Sequence, residues 1–302
     1  MEYVRCDLCG TDSPVHLFRR RDRFSREEFD YVRCSRCGLI YINPRPWLDE
    51  LSGYYPDDYE AYSPTGTSTM ARRWRQRHGF RILRRFIGRY HPAGALLDVG
   101  CATGGFLAHM RRHGWHVQGV EMNSRMAAVA REVRGLKIFG GPFVQFEADG
   151  NTFDVITMWD VLEHLPSPMA SLQRVGDLLS SQGVFIFTVP NLQSFDARLF
   201  GDCWIGWDAP RHLYLFSPGV LKELLTKTGF EVYERRCLLG GPGAFDLSWR
   251  FWIREKWGAA RLSPRLRQLT SALFPFLLWP YKEFSYLVNR GPVMTIAAGK
   301  RS

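Results

Sequence analysis

The sequence predicts an α/β fold in which a mostly parallel sheet carries helices on both faces. Two observations lead to this prediction: apolar strands alternate with amphipathic helices after about residue 93, and the first of these strands runs into a glycine-rich turn. Such alternation is typical of parallel sheets, because each parallel connection needs a crossover helix. A chain of 302 residues is long enough for one large domain, or for one medium domain with attachments.

Local signals place the elements one by one. Strands are predicted where apolar residues cluster, in ALLDVG, HVQGVE, LKIFGG, FDVITMWDVL, VFIFTVP, EVYERRCLL and VMTIAAGK. Helices are predicted over 105–113, 123–135, 168–183 and 217–230, with Asn123 and Ser217 as N-caps. No crossover helix of the usual kind separates the last two strands, so these two can pair antiparallel.

The predicted organisation has three parts: a zinc-ribbon-like module over 1–45, a linker with a basic helix over 46–92, and an α/β domain over 93–302. Apolar residues recur at helical spacing in the basic helix, which gives it one buried side. The formal net charge of +10 calls for an acidic partner or surface. No signal peptide or membrane span is recognisable, so we expect a cytoplasmic protein.

Four of the seven cysteines form two matched C-x-x-C-G motifs, CDLCG and CSRCG. Each motif turns two thiolates towards one point, and two such turns complete a tetrahedral zinc site. Two disulfides are the alternative, but a chain without an export signal is expected in a reducing compartment. We therefore predict one structural zinc ion, since four thiolates leave no open position for catalysis. Its ligands would be Cys6, Cys9, Cys34 and Cys37.

The turn after the first strand reads DVGCATGG, and its composition selects among nucleotide ligands. A dinucleotide-binding motif needs glycine at the position of Ala102, so this turn does not match that class of site. No lysine follows the turn, so it is not a phosphate-binding P-loop either. The carboxylate of Asp98, just before Gly100, would repel a negatively charged diphosphate. It would attract a ligand with an ammonium or sulfonium group. Glu121, at the end of the second strand, is placed to accept both ribose hydroxyl groups of an adenosine. Together with Gly104, these residues predict a site for S-adenosylmethionine (SAM).

Three motifs resemble those of class I SAM-dependent methyltransferases, within a large bacterial group of small-molecule and glycan type. The motifs are DVGCATGGF over 98–106, LEHL over 162–165 and RHLYLFSP over 211–218, and leading C-x-x-C-G pairs also recur in some members. The resemblance implies a Rossmann-like sheet of seven strands, the last two antiparallel. It also implies that Trp159 and Asp160, at the carboxyl end of the fourth strand, flank the methionine part of the cofactor.

Two histidines are candidates for the catalytic base that takes a proton from an acceptor hydroxyl group. His164 follows the fourth strand, at the mouth of the cofactor crevice, and His212 lies between Arg211 and Tyr214. Structural roles are the alternatives, loop capping for His164 and packing for His212. The segment WDVLEH also resembles the E-x-x-E-H loop of quinone O-methyltransferases, where acid and histidine side chains hold a divalent ion. In that case the ligands would be Asp160, Glu163 and His164.

Residues 245–290 are predicted to form a helical insertion between the last two strands. Its apolar core, 269–281, is too short to span a bilayer. Aromatic side chains and arginines crowd the insertion, a composition that suits the interface between lipid and water. We expect a lid over the acceptor site or a peripheral membrane contact, with ordinary packing on the sheet as the alternative.

The predicted function is SAM-dependent methyl transfer to a small molecule, a sugar or a lipid-linked glycan, with a hydroxyl group as the expected acceptor. An RNA methyltransferase is the alternative, because a zinc ribbon and a basic helix would suit RNA docking. Against it, the fourth strand ends in MWDVLEH and lacks the N-P-P-Y type of motif used for exocyclic base nitrogens, so nucleic acid is not an expected partner. A non-catalytic SAM-binding fold is a third interpretation, and the intact Gly100, Gly104 and Glu121 argue against it.

Overall fold

The computed structural model describes residues 1–55, 70–240, 242–257 and 277–301, without the side chains of 70–75, 242 and 257. The chain divides into two compact units. The first unit comprises Met1–Tyr54, Val189–Leu221 and Arg235–Thr295, and the second comprises Tyr55–Thr188, Lys222–Glu234 and Ile296–Ser302. Each unit is therefore built from segments that are distant in the sequence.

A four-stranded antiparallel sheet forms part of the first unit. Its strands are β1 (Pro14–Arg21), β2 (Glu28–Cys34), β3 (Ile40–Ile42) and β9 (Tyr214–Leu215), in the order β1-β2-β3-β9. β1 and β2 form a hairpin, and β3 pairs with both β2 and β9. The cysteine-bearing segment thus shares a sheet with a strand from the RHLYLFSP motif. The predicted division into a module over 1–45, a linker with a basic helix over 46–92 and a domain over 93–302 stays a prediction.

Aromatic side chains fill the core of the first unit. Its helices are α5 (Phe195–Phe200), α7 (Pro242–Trp257) and α8 (Trp279–Leu287). Phe29, Tyr31 and Trp204 are buried in one cluster, against which several side chains of α7 pack. The predicted helical insertion over 245–290 is represented by α7 and α8, whereas 258–276, with most of its apolar core, lies outside the described residues.

A buried ion network ties the hairpin of the first unit to the segment before β9. The guanidinium of Arg211 has no exposed surface and donates to Asp208 at 2.7 and 2.8 Å and to Asp22 at 2.7 Å. It also donates to the carbonyl oxygen of Tyr54 at 2.8 Å. Burial alone would raise the pKa of Asp208, but the hydrogen bonds and charge of Arg211 outweigh it and hold that pKa well below its usual range.

The seven-stranded sheet lies mainly in the second unit. Its strands are β4 (Ala95–Val99), β5 (His116–Glu121), β6 (Lys137–Gly140), β7 (Phe153–Trp159), β8 (Leu179–Pro190), β10 (Phe230–Arg236) and β11 (Val293–Lys300). Their order is β10-β11-β8-β7-β4-β5-β6, mostly parallel and with the last strands antiparallel. The predicted Rossmann-like α/β fold is therefore confirmed.

The register of the central strands positions the candidate site. Leu97, in β4, pairs with Gln118 of β5 on one side and with Ile156 of β7 on the other, and both pairings are parallel. β4 is buried on both faces, as expected for a central strand covered by helices. The carboxyl ends of β4, β5 and β7 consequently lie at one edge of the sheet, where Glu121 and Trp159 are the last residues of their strands.

The remaining helices connect these strands. They are α1 (Met70–Ile87), α2 (Gly105–Arg111), α3 (Ser124–Glu132), α4 (Pro168–Leu178) and α6 (Pro218–Lys227). Asn123 caps α3 by accepting the N–H of Met126 at 3.1 Å, and Ser217 caps α6 by accepting the N–H of Val220 at 3.3 Å. Both predicted N-caps are confirmed. Among the described helices, none is both long and apolar enough to cross a membrane.

The predicted helix over 168–183 is wrong in its last part. α4 ends at Leu178, and the chain continues directly into β8, where Leu179 pairs with Phe153. The residues that follow, SSQG, include weak helix formers, because serine competes for backbone hydrogen bonds and glycine costs backbone entropy. A β-carbon at Gly183 would lie 3.0 Å from the carbonyl oxygen of Phe153, so the close strand pairing there favours glycine.

Candidate functional site

The turn between β4 and α2 is set by its contacts with the surrounding strands and helices. The amide of Gly100 donates to the carbonyl oxygen of Val120, at 2.8 Å. Gly100 and Gly104 have positive φ angles, of 72° and 71°. A β-carbon would lie 2.5 Å from Val161 at Gly100 and 2.4 Å from Leu136 at Gly104. Both positions therefore require glycine for conformation and for space.

The carboxylate of Glu121 holds this turn from the end of β5. One of its oxygens accepts the N–H of Ala102 at 2.7 Å, and the other accepts the N–H of Asn123 at 2.8 Å. Ala102 has a positive φ of 47°, which is uncommon for a residue with a side chain. Burial raises the pKa of Glu121, and the two N–H donors oppose this rise because they stabilise the charged form. Each carboxylate oxygen keeps acceptor capacity for a further donor.

Asp98 is buried within β4. Its carboxyl group accepts a hydrogen bond from the hydroxyl group of Thr157 on β7, at 2.7 Å. Burial raises the pKa of Asp98 to about 7; the Thr157 hydrogen bond opposes the rise and the charge of Glu121 adds to it. Asp98 therefore changes between its neutral and charged forms near neutral pH, and a bound cation would favour the charged form.

Trp159 and Asp160 follow one another at the end of β7. The ring of Trp159 packs edge-on against Phe106 of α2, with centroids 5.4 Å apart, and its buried N–H has no hydrogen-bond partner within the described part of the chain. Asp160 is exposed, with a φ of 55°, and the hydroxyl group of Thr188 donates to its carboxylate at 2.8 Å. Buried N–H groups are nearly always paired in folded proteins, so the indole N–H is a candidate donor for a ligand.

His164 lies on the 3₁₀ turn Leu162–His164, shortly after β7. Its Nδ1 is 3.1 Å from the hydroxyl oxygen of Tyr55. The neighbouring Glu163 is fully buried, and neither of its carboxyl oxygens has a hydrogen-bond partner among the residues described. A carboxyl oxygen of Glu163 lies within 4.8 Å of a ring nitrogen of His164. Burial raises the pKa of Glu163 well above its ordinary value, and the charge of Asp160 adds to the rise.

His212, the second candidate base, belongs to the first unit and precedes β9. Its Nδ1 is 2.8 Å from the carbonyl oxygen of Gly206, and its own carbonyl group accepts a hydrogen bond from the hydroxyl group of Tyr31. A carbonyl oxygen only accepts, so Nδ1 carries the proton and, in the neutral ring, Nε2 carries the lone pair.

The four predicted zinc ligands lie together in the first unit. Their sulfur atoms are all within 4.8 Å of one another, with 3.4 Å between Cys6 and Cys37 and 3.5 Å between Cys9 and Cys34. All four are free thiols, so the disulfide alternative is not what the structure contains. In both motifs the carbonyl of the first cysteine accepts the N–H of the glycine, at 2.8 and 3.0 Å. Sulfur atoms at tetrahedral corners around zinc would lie about 3.8 Å apart, which this spacing fits.

The methyltransferase domain family matches residues 70–235, more than half of the 302 residues. The chain belongs to the methyltransferase domain family. The matched range includes the glycine-rich turn, Glu121 and both candidate bases. The protein is accordingly a SAM-dependent methyltransferase.

Relatives of this methyltransferase match about half of the chain. The ubiquinone biosynthesis O-methyltransferase of Hahella chejuensis (strain KCTC 2396) is 37% identical over 166 residues, which is 50% of this chain and 68% of the relative. The enzyme of that name from Cereibacter sphaeroides (strain ATCC 17025 / ATH 2.4.3) is 29% identical over 172 residues, which is 53% of this chain and 68% of the relative.

Among solved structures, the chain is similar to magnesium protoporphyrin IX methyltransferase from Synechocystis PCC 6803 with bound SAH, the demethylated product of SAM. The TM-score is 0.50 and the sequence identity is 14%, over 84% of this chain and 96% of that chain. At this identity the likeness supports the fold alone. None of these comparisons tests individual site residues, so the cofactor and base assignments stay predictions.

Sequence reasoning missed the side chains that hold three of the predicted site residues. Tyr55 contacts His164, Thr157 donates to Asp98, and Thr188 donates to Asp160. The members of these pairs are 109, 59 and 28 residues apart in the chain, and no local pattern couples them. The burial of Glu163 was also missed, because a glutamate beside a histidine is typical of a polar, exposed loop.

We predict that Asp98→Asn flattens the pH dependence of stability in the ligand-free enzyme. The folded-state pKa of Asp98, about 7, lies above the value of about 3.9 for an unfolded aspartate. Its stabilising contribution is therefore fully present below about pH 4 and is lost as pH rises through 7, by up to about 1.4 kcal/mol per pH unit.

Chemical denaturation of wild type and variant between about pH 4 and pH 7, the window that the two pKa values define, measures this effect. The asparagine can still accept the Thr157 hydrogen bond, so the comparison isolates the titration. Asp149→Asn, at an exposed position, is the control and should keep the wild-type slope. Identical pH slopes for wild type and Asp98→Asn would contradict the assignment.

Proposed function

We propose that this enzyme transfers a methyl group from SAM to a hydroxyl group of a small molecule, with a phenol or catechol, a sugar or a lipid-linked glycan as acceptor classes. The observation that carries the proposal is the placement of His164 beside the buried Glu163, close after the end of β7. The names of the relatives, both O-methyltransferases, support a hydroxyl acceptor.

The proposed cofactor site lies along the edge where β4, β5 and β7 end. Glu121 would accept ribose hydroxyl groups with the capacity left after its two backbone bonds. Met122, which sequence reasoning did not single out, is 63% exposed next to it and offers an apolar surface to the adenine ring. The full set proposed to hold the cofactor is Asp98, Gly100, Ala102, Gly104, Glu121, Trp159 and Asp160.

SAM supplies a methyl group on a positively charged sulfur. The charged forms of Asp98 and Asp160 favour binding of a cation, and the N–H of Trp159, which has no partner among the described residues, can donate to a ligand oxygen. Burial of Asp98 strengthens its interaction with a cation, because fewer water molecules screen it. The residues thus fit the group on charge and on hydrogen-bonding capacity.

His164 is proposed as the base that takes the proton of the acceptor hydroxyl group. An imidazolium formed there would be stabilised by Glu163, which becomes more acidic as the positive charge develops nearby. His212 is proposed as a second acceptor-side residue, because its Nε2 lone pair can receive a hydrogen bond from a substrate hydroxyl group.

Methyl transfer to a catechol probe, followed as SAH formation, tests this function. We predict that His164→Ala lowers kcat by about 10²–10⁴-fold, the usual contribution of a general base, and leaves SAM affinity unchanged. Glu121→Gln should instead weaken SAM binding about tenfold or more, since a hydrogen bond to a charged group contributes about 1.5–3 kcal/mol. His116→Ala, at an exposed position, is the control. Full activity of His164→Ala would contradict the proposed base.

We also propose that Cys6, Cys9, Cys34 and Cys37 hold one structural zinc ion. Support comes from the four clustered free thiols and from the matched backbone turns. Cys34 ends β2, Cys37 lies between β2 and β3, and the other two ligands precede β1, so a metal would hold together the end of the sheet where Pro14 pairs with Cys34. Four thiolates complete the coordination sphere, which assigns the metal to structure and not to methyl transfer.

Metal analysis of the purified chain should find about one zinc ion per protein. Cys37→Ser should lose it and unfold at a lower temperature, because a structural metal contributes directly to folding. Cys203→Ser, which changes a buried cysteine outside the cluster, should retain the metal. Wild-type protein with intact thiols and no zinc would rule the site out.

We further propose that the insertion over 245–290 contacts a membrane surface or a lipid-bearing acceptor. On α8, Trp279, Phe284 and Leu287 are 60%, 56% and 80% exposed and share one half of the helix surface. The sequence between α7 and α8 adds Arg261, Arg265 and Arg267. Exposed apolar side chains next to arginines favour an interface between acyl chains and anionic headgroups.

Co-sedimentation with vesicles of phosphatidylcholine and phosphatidylglycerol measures this contact. Replacing Trp279, Phe284 and Leu287 by serine should reduce the pelleted fraction severalfold, because each apolar side chain contributes about 1.5–3 kcal/mol when buried. The control replaces Val133 and Val144, which are exposed in the second unit, by serine. Equal pelleting of all three proteins would leave the lid or packing interpretation.

A further inference from the structure

The hydroxyl group of Tyr55, which lies outside the LEHL motif, contacts Nδ1 of His164. The two atoms are 3.1 Å apart, within hydrogen-bonding distance. The ring centroids are 6.3 Å apart and the planes are tilted by 51°, so the hydroxyl group meets the imidazole and the rings do not stack. Tyr55 is the first residue of the second unit, to which His164 also belongs.

The turn fixes the backbone of His164 but leaves the orientation of the imidazole ring to the contacts of the side chain. The N–H of His164 donates to the carbonyl oxygen of Val161 at 2.9 Å, which sets the position of the α-carbon. The imidazole still has to be rotated and protonated correctly for proton transfer. The nitrogen that carries the proton is set by the hydrogen bond that the other nitrogen makes.

A tyrosine hydroxyl group is suited to a histidine that cycles between neutral and charged forms, because it both donates and accepts. When Nδ1 carries the proton, its N–H donates a hydrogen bond to the tyrosine oxygen, and the lone pair of the neutral ring is on Nε2. After Nε2 takes a proton, Nδ1 still donates to the same oxygen, so the contact survives the proton transfer. The contact can therefore hold one ring orientation through a full catalytic cycle.

We propose that Tyr55 is a positioning residue for His164: its hydroxyl group holds Nδ1 and thereby presents Nε2 to the acceptor. The inference rests on the proposed role of His164 and deepens it. Tyr55 precedes residues 70–235, so the match to the methyltransferase domain family does not assign it. The segment before α1 then contributes to the reaction of a domain that begins after it in the sequence.

Tyr55→Phe tests the proposal in the full chain, and the adjacent tyrosine provides a matched control. The hydroxyl group of Tyr54 donates to Glu27 in the first unit at 2.6 Å, so Tyr54→Phe removes a hydroxyl group without touching His164. Two readouts are needed. The first is the ¹⁵N NMR signal of the His164 ring nitrogens, assigned with His164→Gln, which reports the tautomer. The second is the steady-state kinetics of methyl transfer to the catechol probe.

We predict that Tyr55→Phe changes the His164 ring-nitrogen signals and lowers kcat about 5–30-fold, the effect of one lost hydrogen bond of about 1–2 kcal/mol. The KM for SAM should change less than twofold, and Tyr54→Phe should behave as wild type. An unchanged His164 NMR signature in Tyr55→Phe would overturn the proposal, and so would an altered signature with unchanged kcat. A wild-type enzyme that methylates no hydroxyl probe would contradict the proposed function instead, while the NMR comparison would still decide the contact.

Discussion

The arrangement of the chain where β4 and β5 end depends on the carboxylate of Glu121. It spans the two chain segments that meet there, because one oxygen accepts from Ala102 in the glycine-rich turn and the other from Asn123 at the start of α3. A positive φ costs a residue with a side chain about 1 kcal/mol or more. The hydrogen bond from Ala102 to Glu121 offsets part of this cost. The same group that shapes the turn is the one proposed to bind ribose, so binding and local structure share a single residue.

Local signals in the sequence predicted much of this fold. The N-caps at Asn123 and Ser217, the strands around the turn and the two C-x-x-C-G motifs all involve residues within a few positions of each other, where sequence pattern and structure are tightly coupled. The end of α4 was predicted wrongly, because the helical spacing of apolar residues continues past Leu178. The differences in helix propensity among the residues that follow are too small to mark the end of a helix.

Contacts between distant segments lay beyond sequence reasoning. The pairing of β3 with β9 joins residues that are far apart in the chain, and so does the link between Arg211 and Asp22. An arginine with no exposed surface is stable only because two carboxylates and a carbonyl oxygen satisfy it, and removing a partner from such a pair costs about 3–5 kcal/mol. A sequence shows such residues as ordinary surface charges, because burial is a property of the whole unit.

Among its described residues, the second unit buries three carboxyl groups, those of Asp98, Glu121 and Glu163, and in each case burial is the largest cause of a raised pKa. Unpaired buried acids destabilise a fold, and stability alone gives no reason for Glu163 to lack a hydrogen-bond partner among the described residues. A cationic methyl donor changes this balance, because positive charge nearby favours the ionised forms and recovers part of the cost as binding free energy. With SAM placed as proposed, the same carboxyl groups would lower the stability of the ligand-free protein and contribute to the affinity for a cation.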